Sequence, residues 1–148
     1  MEKKVYSFIG LIILLLISSM FISCSKDEEL VSTYSMDEFQ DAMSDKGYDF
    51  EVQDVEEDFL LTTRKRMTID DTVIDIYLFN NDKAMEKEAA YIDSDGYGYD
   101  NGIRRLKVSW INAPHFYKKG SLIIQYVGEE KNIMSSLEDI LGQQFAGL

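Results

Sequence analysis

The chain has 148 residues, 45% of them hydrophobic and 28% charged, with a formal net charge of −12. One cysteine and one histidine exclude an intramolecular disulfide framework, a cysteine-based zinc or iron–sulfur site and the paired-histidine metalloprotease helix. The acidic balance speaks against a nucleic-acid binder and the hydrophobic content against disorder, so one globular domain's worth of chain is expected.

Residues 1–23 read as a secretory signal. Lys3 and Lys4 supply the positive start, Phe8 to Ile17 is a near-continuous apolar run, and Ser18 and Ser19 lower the hydrophobicity before Phe21-Ile22-Ser23-Cys24. That quartet resembles a bacterial lipobox, in which a small residue precedes a cysteine that is acylated and becomes the new N-terminus; Phe21 stands where such boxes usually carry Leu. The competing reading is an uncleaved membrane-spanning helix over Val5–Ser23. Either puts the remaining chain outside the cytoplasmic membrane. Two acyl chains of palmitate type on Cys24 would anchor stably where one would not, at about 0.8 kcal/mol per buried CH₂. Ser25-Lys26-Asp27-Glu28-Glu29 resembles the surface-export signal of Bacteroidota lipoproteins. The expected organisation is a signal peptide over 1–23, the lipidated Cys24 with a polar tether over 24–34, and a single α+β domain over 35–148. Cleavage before Cys24 removes one acid and two bases, leaving 125 residues at −13.

In the mature chain, Ser35-Met36-Asp37-Glu38 is a capping box, and Met36, Phe39 and Met43 recur at helical spacing until Gly47. Phe59–Met67 and Thr72–Phe79 are β-branched and aromatic runs separated by Asp70-Asp71, which predicts a hairpin. Asn81 caps a second helix with Met85, Ala89 and Ile92 on one face, and loop residues fill Asp93–Gly102. Leu106, Val108 and Trp110 alternate with Arg105, Lys107 and Ser109 as in a half-buried strand. Leu122–Val127 is the next strand, with Tyr117–Ser121 between them as a tight turn that Gly120 closes through a bulge. Glu129–Leu141 is a third helix striped by Ile133, Met134, Leu137, Ile140 and Leu141, with Gly142 at its end. The order α-ββ-α-ββ-α predicts an α+β two-layer domain: an antiparallel sheet of about four strands with helices on one face.

Few segments carry chemistry. Asp93–Asp100 superficially suggests a calcium loop, but counting from Asp93 puts Gly96 at position 4 rather than 6, and no closing Glu follows; a soluble helix-to-strand loop explains it better. His115 lacks a nucleophile elbow or thiol nearby in sequence, and a structural role fits it better than catalysis. No catalytic residue, metal or cofactor is expected. Charge is uneven: 13 acids lie between Asp27 and Asp58 and none between Asp100 and Glu129. Arg104, Arg105, Lys107, Lys118 and Lys119 therefore form a candidate basic patch. With His115 and Tyr117 they make a candidate binding surface, centred on a hairpin tip whose two lysines are exposed; the competing reading is a turn they merely solubilise.

Trp110-Ile111-Asn112-Ala113-Pro114-His115-Phe116-Tyr117-Lys118-Lys119-Gly120, Gln125-Tyr126-Val127-Gly128 and Leu141-Gly142-Gln143-Gln144-Phe145-Ala146-Gly147 resemble a group of small uncharacterised lipoproteins of Gram-positive bacteria. Phe39, Met43, Gly47 and Tyr48 match that group's first-helix pattern. The resemblance implies a lipoprotein of α+β order and no catalytic residues. The expected function is a non-enzymatic, membrane-anchored extracytoplasmic domain, held to the lipid bilayer through Cys24, that binds a protein or an anionic envelope polymer. The alternative is a cell-envelope hydrolase or transferase whose carboxylates meet only in the fold.

Overall fold

Helix α1 (Met36–Asp45) starts where the capping box places it. Ser35 N donates to Glu38 Oε2 at 2.7 Å, and Glu38 N returns to Ser35 Oγ at 3.3 Å, so two otherwise orphaned amides are satisfied. The structure, a computed structural model, describes residues 34–148. Cys24, the signal segment and the tether up to residue 33 lie outside the described residues.

After α1 come β1 (Glu51–Val55), β2 (Thr63–Ile69), β3 (Thr72–Leu78), α2 (Asp82–Ala89), β4 (Gly98–Asp100), β5 (Arg105–Lys107), β6 (Pro114–Lys119), β7 (Leu122–Val127), α3 (Lys131–Leu141) and β8 (Ala146–Gly147). The main sheet has six strands in the order β1-β2-β3-β7-β6-β8, and β4 and β5 form a separate two-stranded sheet. All pairs are antiparallel. The fold is α+β, as expected from the sequence.

Strand side chains alternate between faces, and both faces of the main sheet are covered. On one, Met67, Ile69, Ile74, Ile76, Leu122 and Ile124 meet Phe39 and Met43 of α1 and Ile133, Leu137 and Leu141 of α3. The two helices are tied by Lys46 Nζ to Asp139 at 2.7 Å and by the Tyr48 hydroxyl to the Asn132 carbonyl at 3.1 Å. On the other face, Tyr77, Ile123 and Phe116 meet Phe59, Leu60, Met85 and Ala89, with Ile92 and Tyr99 beside them.

The prediction of helices on one face of about four strands is thereby corrected. Helix α2 and the small sheet take the second face, because Tyr77, Phe116 and Ile123 on the reverse side of the strands must also be buried. The predicted strand over Arg105–Trp110 is also corrected: β5 spans three residues and pairs with β4, inside the predicted loop Asp93–Gly102, while β6 is the strand that meets β7. Phe59 and Leu60 are not in a strand; they turn inward as buried anchors of the second face. Strand β1 carries no hydrophobic run because it is an exposed edge.

The two hairpin turns differ in how well they were anticipated. Asp70-Asp71 joins β2 to β3 as predicted, with Asp70 at φ 49°. The β6–β7 turn is the two residues Gly120-Ser121, without the predicted bulge, so Lys118 and Lys119 belong to the strand. Gly120 has φ 56°, and a Cβ there would fall within 2.5 Å of the Tyr34 carbonyl oxygen, which makes glycine obligatory twice over. Leu137 has no exposed surface. Leu137→Ala should cost about 2–5 kcal/mol, read from denaturant midpoints; an unshifted midpoint would show that the α3 stripe does not support the sheet.

Candidate functional site

The predicted binding surface does not assemble. His115 is buried, with its ring nitrogens 2.7 Å from Gln144 Oε1 and 3.0 Å from the Gly128 carbonyl, and it stacks on Tyr126. Tyr117 lies in the α1–α3 core. Lys118 pairs with Glu86 of α2 and covers the Phe145 ring, whereas Lys119 points to the opposite face, donating to the Ile140 carbonyl at 2.7 Å over the Tyr34 ring. Period-2 alternation separates these two neighbours. Arg104 is turned inward, donating to the Phe59 and Asp58 carbonyls at 2.7 and 2.8 Å. Arg105 pairs with Asp100 at 2.6 Å, and Lys107 is exposed on β5. The acids of the Asp93–Asp100 loop organise backbone: Asp95 accepts from Tyr97 N and Asp100 from Gly102 N.

A different constellation does come together, on the part of the second face that α2 leaves uncovered. Arg64 and Arg66 of β2 and Asp75 of β3 point to that side, beside Tyr77 and Gln125 of β7. Arg64 Nη2 is 2.7 Å from Asp75 and 2.9 Å from Asp58, and its Nη1 donates to the Glu56 carbonyl at 2.9 Å. Arg66 grips Asp75 with Nε and Nη2 at 2.9 and 3.1 Å, a bidentate pair. The Tyr77 hydroxyl donates to Asp58 Oδ1 at 2.7 Å and lies 3.0 Å from the Gln125 amide. The phenol has one proton, and Asp58 is the nearer, charged acceptor.

Asp58, Arg64, Arg66, Asp75 and Gln125 line the floor of an open cavity of about 900 Å³, within the roughly 300–1,000 Å³ usual for small-molecule sites. Val108, Trp110 and Ile111 form its wall, and Asp71, Glu129 and Glu130 stand at its rim. Trp110 is fixed by packing against Phe59 and Phe116 and by Nε1 donating to the Gly96 carbonyl at 2.8 Å. Ile111 is 99% exposed.

Arg64 Nε has no hydrogen-bond partner, and one end of the Gln125 amide has none, on residues only 8% and 2% exposed. A buried polar group without a partner costs about 1–3 kcal/mol. Both residues line the cavity. Among the described residues no group of three or more metal-ligating side chains occurs.

Part of this floor was legible in advance. A two-residue turn at Asp70-Asp71 sets Arg66 opposite Asp75, and Arg64 lies two residues along on the same face. Asp58, Gln125 and Trp110 come from distant segments that no local pattern joins to that hairpin. No family model, curated protein or solved structure matches the chain.

Burial pushes the Tyr77 hydroxyl well up from its ordinary value, and the Asp58 anion adds to it. Burial, then the hydrogen bond to Glu88, pushes Tyr99 up to about 12. Burial also raises Tyr34, Tyr117 and Tyr126. The neutral phenols therefore favour the folded state. Their contribution is whole below about pH 10, where unfolded tyrosine ionises, and for Tyr99 it is lost as pH rises from there through about 12. An alkaline titration should show part of the phenolate absorbance rising only together with loss of the circular dichroism. Full tyrosine ionisation with the dichroism intact would contradict this.

Proposed function

We propose that this chain is a non-enzymatic binding domain, held on the outer side of a membrane by a lipid on Cys24, with its ligand site in the Trp110 cavity. The observation that carries the reading is an open cavity lined by Arg64 and Gln125, each of which has a buried polar atom without a hydrogen-bond partner. Groups of this kind are stabilised when a bound molecule completes their hydrogen bonds.

The converging carboxylates of Asp58 and Asp75 favour a second reading, an envelope hydrolase or transferase. Their surroundings argue against it. Each is the acceptor of an arginine ion pair, and Asp75 accepts from two guanidinium groups at once. Both oxygens of each already accept hydrogen bonds or ion pairs, Asp58 from Tyr77 and Arg64 and Asp75 from Arg66 and Arg64. His115 cannot serve as the base, since both its ring nitrogens are engaged elsewhere.

The position of the cavity suits display. Tyr34, where the described chain begins, lies against Gly120 at one end of β7, and the cavity takes in Val127 to Glu130 at the other end. The six residues of β7 separate them by about 20 Å. The first described residue and the cavity thus lie toward opposite ends of β7.

Two experiments address the two parts. Cys24→Ser should abolish acyl labelling and leave a longer precursor; labelling and cleavage unchanged would remove the anchor. A photo-crosslinking side chain at Ile111, in the lipidated full chain on its own membrane, should trap an adduct that Gln125→Leu abolishes, while the same group at Lys107 traps none. Equal yields from both positions would exclude the cavity as the site.

A further inference from the structure

Resting on that binding reading, we infer that the cavity takes a neutral carbohydrate. Three features of the floor and walls select the class. First, donors and acceptors alternate over a short distance. Arg64 and Gln125 line the cavity, each with a buried polar atom that lacks a partner, and Arg66 is half-buried with Nε and Nη2 spent on Asp75. Asp58 and Asp75 provide carboxylate oxygens between them. A sugar hydroxyl both donates and accepts, so neighbouring hydroxyls of one ring can use such a mixed set, whereas a group that only accepts or only donates cannot.

Second, the charge opposes anions. The floor's two guanidinium groups are balanced by its two carboxylates, while Asp71, Glu129 and Glu130 leave the rim negative. A carboxylate or phosphate would meet net repulsion.

Third, the floor is read through side chains alone. It is built on β2, β3 and β7, each paired on both sides, so no free strand edge is available for an extended peptide to join. Trp110 meanwhile offers a fixed, half-buried aromatic surface at the wall, matched to the apolar C–H side of a sugar ring.

Trp110 is the only tryptophan in the chain, so its fluorescence reports on the cavity. The full chain, purified from membranes in detergent, is titrated with hexasaccharides of glucose, mannose, xylose and N-acetylglucosamine, with hexagalacturonate, and with tetralysine and tetraalanine. At least one neutral oligosaccharide should shift the emission, hexagalacturonate should not, and Gln125→Leu should weaken the neutral ligand by about tenfold or more. Calorimetry confirms the affinities independently of the fluorophore. No response to any neutral oligosaccharide, a response confined to the peptides or to hexagalacturonate, or an affinity unchanged by Gln125→Leu would overturn the carbohydrate assignment; the peptide result would leave the binding reading standing. Shortened oligosaccharides in the mass spectrum would uphold the ligand class and overturn the non-enzymatic reading instead.

Discussion

The Arg64 guanidinium is the point on which the second face of the sheet depends. It is buried, and a buried cation is tolerated only when its hydrogen bonds are largely met by anions and carbonyls. Asp75 meets one side from the adjacent strand; Asp58 and the Glu56 carbonyl meet the rest from the segment before β2. Satisfying the charge therefore drags residues 56–58 over the sheet, and Phe59 and Leu60, next in sequence, are carried into the second core. Arg104 closes the same segment from the other side through the Asp58 and Phe59 carbonyls and lies over the Tyr99 ring. Removing either guanidinium would leave polar groups of residues 56–59 unmatched as well as the anion it serves.

This arrangement divides the sheet into a face closed by helices and a face shared between packing and an open cavity. On the helical side α1 and α3 cover β2, β3, β7 and part of β6, and the contact is aliphatic and aromatic. On the other side Phe59, Phe116 and Trp110 form a chain of edge-to-face and tilted ring contacts with centroids 5.5 to 6.5 Å apart. Beyond Trp110 the apolar cover stops, and the polar row Arg66, Asp75 and Gln125 begins. Trp110 is thus both the last member of a core and the first member of a wall.

How much of this the sequence disclosed follows from the range of each interaction. The α1 cap, the Asn81 cap of α2 and the α3 stripe depend on residues within one or two turns, and the structure has them where local rules put them. The Asp70-Asp71 hairpin is equally local. The second face is not. Tyr77, Phe116 and Ile123 sit in strands hydrophobic on both sides, a pattern that marks cover on both faces without saying what supplies it. Short β4 and β5 carry too few residues for alternation to distinguish them from a loop. The candidate basic patch failed for a related reason: composition located the cations between Arg104 and Lys119, but strand alternation and nearby carbonyls and acids dispersed them. The cavity floor instead draws on Arg64, Arg66 and Asp75, acids and bases whose charges cancel and so leave no trace in a charge profile.

The proposed site has a rigid floor and an open wall. The floor residues stand on the three strands with neighbours on both sides, and every carboxylate among them is already oriented by an arginine or a tyrosine. Little side-chain freedom remains to be lost when a ligand arrives, which is the condition under which a few hydrogen bonds yield useful affinity. The wall, by contrast, is the 108–112 segment between β5 and β6, outside both sheets and ending in a fully exposed Ile111. Ile111 can be substituted without disturbing the ion pairs beneath, whereas Trp110, packed on Phe59 and Phe116, joins the wall to the segment that holds Arg64.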